Sequence, residues 1–427
     1  MSEALPVSKL INEPTVVAAV EQARARILAH PVSDIRDRHG NQYVDLVMEG
    51  GGVLGVALAG YSYVLESAGL RFLGLGGTSA GSINALVIAA LGPPHVAKAT
   101  RVAEIVANVP MASFIDGDSD ARDFTQALVG GAGKFKLAMK AAQVVDNFSD
   151  DLGLHPGSRF RSWLTTVLAD NGIATLTDLD AVLATPPPEG YVVEHDVERG
   201  VRATDTDTQA IKGRLAVIAA DITTGTKVEL PKMAALYWAQ PEALNPADFV
   251  RTSMSVPAFF HPVRVGKIPQ GPDALARWQA LTSYKGTRVP KECVFVDGGI
   301  VSNLPIAVFH NQRKVPRAPT FGVKLGIPAD EPTLIDSPTK LIGSVFNAAR
   351  GALDQDFLAG NPDYSRLIAY IDTKQHNWLN FDLPNKDKID LFREGAKAAA
   401  AFLETFDWVE YKRLRKLKAM LREASDV

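Results

Sequence analysis

Short apolar runs and amphipathic stretches alternate along the first hundred residues of the chain. Residues 43–52 read YVDLVMEGGG and residues 70–75 read LRFLGL, two apolar runs that predict strands. Residues 56–69, VALAGYSYVLESAG, and residues 82–91, SINALVIAAL, have the length and composition of helices. The predicted order is strand, helix, strand, helix, which implies parallel strands joined by crossover helices.

Later apolar runs predict five more strands in the second half of the chain. Their sequences are RLAVIAAD (214–221), KVELP (227–231), CVFVDGG (293–299), FGVKLGI (321–327) and RLIAYID (366–372). A parallel sheet built from such apolar strands must be covered by helices on both faces. The pattern therefore predicts an α/β fold, a three-layer sandwich in which a mostly parallel central sheet lies between helices.

The chain is expected to form one main domain, because no long Pro/Ser-rich linker or internal repeat divides it. We assign residues 43–408 to this domain, with a mainly helical insertion at about residues 109–188. Residues 1–42 form a helical N-terminal extension, and residues 409–427 form a basic C-terminal helix. The extension contains apolar residues at helical spacing: Val16, Val20, Ala23 and Ile27.

Two segments allow more than one interpretation. Residues 134–145, KFKLAMKAAQVV, predict a helix with one basic face, which is either a core helix or a hinged lid. Residues 409–422 contain six basic residues and one acidic residue, with leucines at positions 414, 417 and 421. This terminal helix either lies on anionic lipid or is a solvated helix packed by its leucines.

Composition and charge exclude several classes of function. The net charge of −3 at pH 7 argues against a general nucleic-acid-binding protein, which needs a basic footprint. The single cysteine, Cys293, excludes an internal disulfide, and the eight histidines have no metal-ligand spacing, so we expect neither a metal nor a cofactor. Without a visible signal sequence or spanning segment, residence in the cytoplasm is the default, with peripheral membrane contact and leaderless export left open.

Candidate chemistry begins at the end of the second predicted strand, where residues 76–81 read GGTSAG. Ser79 would stand on the sharp turn between strand and helix, at the carboxyl end of a parallel strand, between Gly77 and Gly81. A serine in this position is typical of a nucleophile, although a serine also caps a helix well. The pattern by itself leaves both interpretations open.

A glycine cluster ends the first predicted strand. Residues 50–55 read GGGVLG, and consecutive glycines can turn their N–H groups toward one point, which is the geometry of an oxyanion hole. The same letters fit the G-x-G-x-x-G turn of dinucleotide-binding proteins through Gly50, Gly52 and Gly55. That alternative requires an acidic residue at the end of the next strand, where this chain has GGTS.

The third motif is VFVDGGIVSNLP, in which an apolar strand ends at Asp297 and is followed by Gly298 and Gly299. Taken alone, it is also an ordinary Asp-Gly turn. Together, the three motifs resemble the patatin-like phospholipase family, whose pattern combines a GGGxxG loop, a GxSxG nucleophile and a D-G-G/A aspartate. The segment RTSMSVPAFFHPV, from Arg251, and the letters SNLP extend the similarity, which covers residues 43–326.

The resemblance implies a patatin-like fold and the hydrolysis of carboxyl esters of phospholipids or lysophospholipids. It implies that Ser79 is the nucleophile and Asp297 the base of a catalytic dyad. Leu54 stands where family members often carry a basic residue. This chain therefore departs from the family pattern and has no added positive charge beside the backbone donors of the glycine loop. The motifs identify neither the head group nor an activating protein partner. The implied oxyanion-hole loop consists of the leading donors Gly51 and Gly52 with the turn-shaping residues Gly50 and Gly55.

The group that takes the proton of the serine is the remaining question. A Ser-His-Asp hydrolase of this type has its histidine after the acid, and beyond Asp297 the chain has His310 and His376. Neither histidine has a glycine or turn context that would place it. The resemblance instead implies that Asp297 bonds Ser79 directly, and burial among apolar strands would raise the pKa of this carboxyl and make it a better base. A Ser-His-Asp esterase or thioesterase and a non-catalytic lipid- or nucleotide-binding module remain as alternatives.

Overall fold

The computed structural model describes residues 4–129, 151–193, 209–309, 314–327, 354–374 and 376–425, with six single residues between positions 332 and 351. The predicted helix at residues 134–145 lies outside these described residues, and so does His310. The lid interpretation of that helix therefore stays a prediction.

Ten of the strands that the structure describes form the main sheet, and two form a small separate sheet. All seven strands predicted from apolar runs are present. The strand before Ser79 is longer than its apolar run, because it continues through the small residues 76–78. In chain order the described strands are β1 (Ile35–Arg36), β2 (Gln42–Met48), β3 (Leu70–Thr78), β4 (Gly153–His155), β5 (Val192–Val193), β6 (Arg214–Asp221), β7 (Thr226–Leu230), β8 (Ala258–Phe260), β9 (Val263–Gly266), β10 (Glu292–Asp297), β11 (Thr320–Leu325) and β12 (Ile368–Ile371).

Five parallel strands form the centre of the main sheet, in the order β12-β11-β2-β3-β6. Antiparallel strands extend this core, since β7 and β10 pair with β6 and β9 pairs with β10. Strand β2 is buried along its whole length and β3 along nearly all of it, as expected of strands that are covered on both faces. The predicted α/β fold with a parallel central sheet is confirmed.

Different segments cover the two faces of β3. Successive residues of a strand point to opposite faces, and positions 74 and 76 meet Phe309 whereas position 77 meets the beginning of the helix after Ser79. The 3-10 turn Ile306–Phe309 therefore lies on one face and that helix on the other. The described helices are α1 (Ser8–Ile11), α2 (Pro14–Ala29), α3 (Gly55–Ser67), α4 (Ala80–Ala90), α5 (Ala99–Ala107), α6 (Ser119–Val129), α7 (Ser158–Ala169), α8 (Leu176–Ala184), α9 (Ala247–Ser253), α10 (Pro272–Leu281), α11 (Asn385–Thr405) and α12 (Trp408–Ser425).

Helices α3 and α4 carry the chain between the central strands, as the order of apolar runs predicted. Helix α4 packs against β3 and β6, while α3 packs against α4, α5 and α11. The N-terminal helix α2 packs on α3 and α11 and buries three of its four predicted apolar positions. The GGTSAG motif thus lies at the start of a helix that is buried over its whole length.

Charged residues attach α12 to the body of the protein. Arg415 is 2% exposed and donates to Asp363 (2.6 Å), and Lys418 pairs with the same carboxylate. Burial would raise the pKa of Asp363, but the bonds from Lys418 and Arg415 outweigh burial and hold this pKa below its usual range. Lys412 bonds Asp34 in the same way (2.9 Å). Several of the basic charges of α12 are therefore engaged within the protein.

The leucines at the end of α12 do not hold it in place. Leu417 is 51% exposed and Leu421 is 70% exposed, so the prediction that leucines pack this helix is wrong for these two residues. The buried side chains are Trp408, Tyr411 and Arg415, because the face that carries them meets buried carboxylates and aromatic rings. Across the residues that the structure describes, no helix has both the length and the apolar composition to cross a bilayer.

Candidate active site

Ser79 lies on the turn between β3, which ends at Thr78, and α4, which begins at Ala80. Its backbone has φ 50° and ψ −120°, a conformation that residues other than glycine rarely adopt. A strained strand-to-helix turn at the carboxyl end of a parallel strand is the geometry of a nucleophile elbow. The structure therefore places Ser79 where the motif predicted it.

The two glycines of the motif allow this turn to pack tightly. A Cβ on Gly77 would clash with the backbone of Gly81, and a Cβ on Gly81 would clash with the carbonyl group of Met48 at the end of β2. Three stretches of backbone approach one another at this point. Any side chain at either position would separate them, so packing requires both glycines.

Ser253, at the end of α9, holds the backbone of the turn at Ser79. Its Oγ accepts a hydrogen bond from the N–H of Ser79 (2.9 Å) and donates one to the carbonyl of Ile218 in β6 (2.5 Å). The Ser253 side chain is fully buried. One hydroxyl thus links the serine turn to the strand beside it. Sequence reasoning included Ser253 in the segment that resembles the family but assigned it no role.

We expect Ser253→Ala to lower the free energy of unfolding by about 1–3 kcal/mol, because the buried N–H of Ser79 loses its acceptor. Ser365→Ala is the matched control, since the exposed Ser365 hydroxyl also donates to a carbonyl, that of Pro362. The control should change stability by less than about 0.5 kcal/mol. Urea denaturation measures both variants. Equal stabilities would contradict the role of Ser253.

Strand β6 brings the serine turn and the aspartate strand together. Thr78, at the end of β3, lies opposite Ile218 of β6, and Asp297, at the end of β10, lies opposite Ala219. Strand β7 pairs with residues 217–221 of β6 and occupies the other edge at these positions. Strands β3 and β10 therefore share one edge of β6 and meet end to end. Their junction lies between consecutive β6 residues, with the turn at Ser79 on one side and Asp297 on the other.

Asp297 is 1% exposed and is held by its neighbours in the chain and by one loop. Its carboxylate accepts a hydrogen bond from the N–H of Gly299 (2.7 Å), in the 3-10 turn Gly298–Ile300. Its own N–H donates to the carbonyl of Ser255 (2.8 Å). The segment that contains Ser253 and Ser255 therefore contacts the backbone of both Ser79 and Asp297.

Arg251 supports this segment from inside the protein. Its guanidinium donates to the hydroxyl of Ser255 (2.6 Å) and to the carbonyls of Pro156 (2.6 Å) and His261 (2.9 Å). Burial lowers the pKa of Arg251 to about 10, and the charge of Asp116 opposes this effect. Arg251 is therefore a buried cation that is charged at neutral pH and makes its hydrogen bonds to neutral oxygens.

The glycine loop after β2 leaves two backbone donors available. The N–H of Gly50 donates to the carbonyl of Asn303 (3.3 Å), and the N–H of Gly55 donates to the carbonyl of Gly52. Among the described residues, none accepts a hydrogen bond from the N–H of Gly51 or Gly52. Gly52 has φ +54°, and a Cβ there would clash with the backbone of the loop that follows β12, so glycine is required.

A buried polar network joins the glycine loop to the segment after Asp297. The side-chain amide of Asn303 donates to Glu49 (2.9 Å) and to the carbonyl of Gly50 (3.3 Å). Asp354 accepts hydrogen bonds from the two N–H groups of residues 303–304 (2.9 and 2.7 Å), while burial raises its pKa. Sequence reasoning missed Glu49 and Asp354 because neither belongs to a motif. The one available signal was the position of Glu49 directly before the glycines.

Two of the described histidines, His376 and His155, have other partners. Nε2 of His376 lies 3.2 Å from a carboxylate oxygen of Asp390 on α11. His155 is fully buried, with a backbone N–H bonded to one ring nitrogen (3.0 Å) and a threonine hydroxyl to the other (2.9 Å). Burial lowers the pKa of His155 to about 4, so it is neutral at pH 7. The hydroxyl of Ser79 makes no hydrogen bond with any described residue.

Ser79 and Gly52 lie on the wall of a cavity with a volume of about 30 Å³. A serine beside available backbone donors and an apolar wall is suited to an ester of an apolar acid. Within the described part of the chain, no group of three or more His, Cys, Asp or Glu side chains could hold a metal ion. Aromatic residues form much of the cavity wall: Phe114, Phe160, Phe259, Phe260, Trp378 and Phe381.

The sequence matches a model of the patatin-like phospholipase family over residues 46–310, which is more than half of the chain. The matched region contains the glycine loop, the serine turn and Asp297. The chain therefore belongs to the patatin-like phospholipase family, and the resemblance stated from its motifs is confirmed. Membership places it among lipid acyl hydrolases.

Two known proteins are similar to most of the chain. The uncharacterized protein YqhO of Bacillus subtilis is 29% identical over 368 residues, which cover 86% of this chain and 100% of YqhO. The alignment with YqhO covers more of the chain than the family model does. The crystal structure of VipD from Legionella pneumophila aligns with 88% of this chain and 70% of VipD, with a TM-score of 0.41 and 13% identity.

Proposed function

We propose that the protein cleaves the carboxyl esters of phospholipids or lysophospholipids through a Ser79–Asp297 dyad and an acyl-enzyme. The observation that carries the proposal is the meeting of β3 and β10, which pair with consecutive residues of β6 and end beside each other. Family membership supports the reaction class. The apolar wall of the cavity at Ser79 supports an apolar acyl group as the part of the substrate next to the serine.

In the proposed mechanism, Ser79 Oγ attacks the ester carbonyl carbon while Asp297 accepts its proton. The N–H groups of Gly51 and Gly52 donate to the oxyanion that forms. The bond to the alcohol then breaks, and Asp297 gives the proton to the leaving oxygen. Water attacks the acyl-enzyme, Asp297 accepts a proton from this water, and collapse of the second intermediate releases the fatty acid and returns the proton to Ser79. Catalytic hydrogen bonds of this kind often tighten only when substrate is bound.

The experiment that tests this function incubates the purified protein with a mixed panel of phospholipids and lysophospholipids and identifies the fatty acids released. We expect release without added metal, because side chains and backbone donors carry every proposed step. Labelling by a serine-reactive phosphonate is measured in parallel. Absence of both release and labelling would favour a non-catalytic lipid- or nucleotide-binding module, whereas release that requires a histidine would favour a Ser-His-Asp esterase or thioesterase.

Transient contact with a membrane surface is a second part of the proposal. Val409, Leu417, Met420 and Leu421 are all exposed on α12, and their helical spacing places them within about a third of its circumference. Lys416 is exposed on the same helix. An apolar stripe with adjacent basic residues is typical of helices that lie on lipid. This proposal depends on exposed apolar residues, and less on the basic charges that are paired inside the protein.

We expect the double variant Leu417→Ser/Leu421→Ser to bind anionic vesicles at least about tenfold more weakly than the wild type. Burial of one leucine in lipid is worth about 1.5–3 kcal/mol, and 1.4 kcal/mol corresponds to a factor of ten. Leu281→Ser, at an exposed leucine of α10, is the matched control and should bind as the wild type does. Vesicle cosedimentation measures binding, and turnover of a soluble ester should stay unchanged in both variants. Equal binding by all three proteins would show that these leucines of α12 take no part in membrane contact.

A further inference from the structure

Two cavities lie on either side of one wall beside the nucleophile. The smaller, of about 30 Å³, contains Ser79, and the larger has a volume of about 310 Å³. Both are lined by Gly52, Ala80, Ile83, Met111 and Phe381, so these five residues stand between them. The larger cavity is therefore next to the ester-cleaving site without containing the nucleophile.

The small cavity is too small for the acyl chain of a lipid. A cavity needs a volume of about 10–15 Å³ to hold one water molecule. The cavity of about 30 Å³ therefore admits only about two water-sized groups. The larger cavity reaches the roughly 300–1,000 Å³ that is common for ligand pockets. A chain of more than a few carbons that is esterified at Ser79 must therefore extend beyond the small cavity.

The walls of the larger cavity suit a hydrocarbon chain. Apolar residues from the glycine loop, from α3 and from the end of α5 line it, among them Val53, Val56 and Val106. Its polar residues include Asp382, which is exposed, and Lys388, which is half-buried. A carbon chain inside would be removed from water, and each buried methylene adds about a fourfold factor in affinity.

Segments outside the family match complete this cavity. Ala4 belongs to the N-terminal extension, and its neighbour Leu5 exchanges two hydrogen bonds with the side chain of Asn108 (2.7 and 3.0 Å). Phe381 and Leu383 belong to the segment before α11, beyond residue 310. Parts of the chain outside the matched family region therefore contribute to the wall of a cavity that is mostly lined from within it.

We infer that the 310 Å³ cavity binds the distal part of one acyl chain of the substrate, and that Phe381, with Met111, determines which chain lengths reach it. This inference rests on the proposed ester hydrolysis at Ser79. Phe381 stacks on Phe259 with ring centroids 5.0 Å apart and an interplanar angle of 8°. The ring must leave this stack, or slide along it, before a chain can pass from one cavity to the other. Met111 has an unbranched, flexible side chain that can move more readily.

The test measures kcat/KM for nitrophenyl esters of graded acyl length, from acetyl to palmitoyl. For Phe381→Ala, we expect the ratio of long-chain to acetyl kcat/KM to rise about two- to tenfold, because one aromatic stacking interaction no longer has to be broken. For Ala112→Phe, which narrows the larger cavity from an exposed position, we expect this ratio to fall by at least about tenfold.

Phe357→Ala is the matched control, because Phe357 is also half-buried and paired with an aromatic ring but lines neither cavity. Its chain-length profile should follow that of the wild type. If the chain-length profiles of Phe381→Ala and Ala112→Phe run parallel to that of the wild type, the assignment of the cavity is wrong. The proposed reaction stays intact in that case, provided that the acetyl ester is still hydrolysed. If the wild type hydrolyses no ester of any length, both the reaction and this inference are wrong.

Discussion

Ser79→Ala should abolish the release of fatty acid from phospholipid and lysophospholipid. The variant lacks the oxygen that attacks the ester, and loss of a serine nucleophile reduces turnover by about 10⁴-fold or more. The fold should be unaffected, because the Ser79 hydroxyl makes no hydrogen bond with any described residue. We therefore expect its free energy of unfolding to stay within about 0.5 kcal/mol of the wild type.

The measurement is fatty-acid release by wild type and variant on the same lipid panel, with urea denaturation as the check on folding. Ser365→Ala serves again as control, since its exposed hydroxyl is remote in sequence from every motif and its loss should leave turnover unchanged. A labelled phosphonate should react with the control and not with Ser79→Ala. Undiminished release by a folded Ser79→Ala protein would exclude Ser79 as the nucleophile.

Asp297→Asn should lower turnover on a soluble ester by at least about 10²–10⁴-fold, the usual effect of losing a general base. Asparagine has nearly the same shape, and its side-chain oxygen can still accept the hydrogen bond from Gly299. The substitution therefore removes the basic carboxylate and keeps the turn. Denaturation of this variant should resemble that of the wild type, so that loss of activity reports on chemistry.

The histidine variants decide between a dyad and a triad. His376→Gln should cost little, because the ring of His376 pairs with Asp390 on α11. His310→Gln should also cost little, as its sequence context predicts. Turnover of all three variants on one soluble ester is the measurement. If either histidine variant is as inactive as Asp297→Asn, a three-residue relay replaces the dyad.

The sequence by itself determined the parallel core and the local shape of each motif. Apolar runs predicted the central strands because buried strands must be apolar on both faces, a requirement that holds residue by residue. The glycines around Ser79 could be recognised in the sequence for a similar reason, since direct contact with the end of β2 requires glycine at position 81. The Asp-Gly-Gly letters likewise predicted the end of β10 at Asp297. Each of these signals lies within a few residues of the feature it predicts.

Only the tertiary structure decided how the motifs meet and what surrounds them. Ser253 bonds Ser79 across 174 positions of the chain, and Asn303 bonds Glu49 across 254, separations at which neither local periodicity nor turn residues carry information. The junction of β3 and β10 depends on the register of β6, which pairing along the sheet sets. The terminal helix shows the same limit. Its sequence does not indicate which basic residues are solvated, and in the folded protein Arg415 and Lys418 pair with the buried carboxylate of Asp363. A contact between distant residues depends on how whole elements pack, and no short stretch of sequence contains that packing.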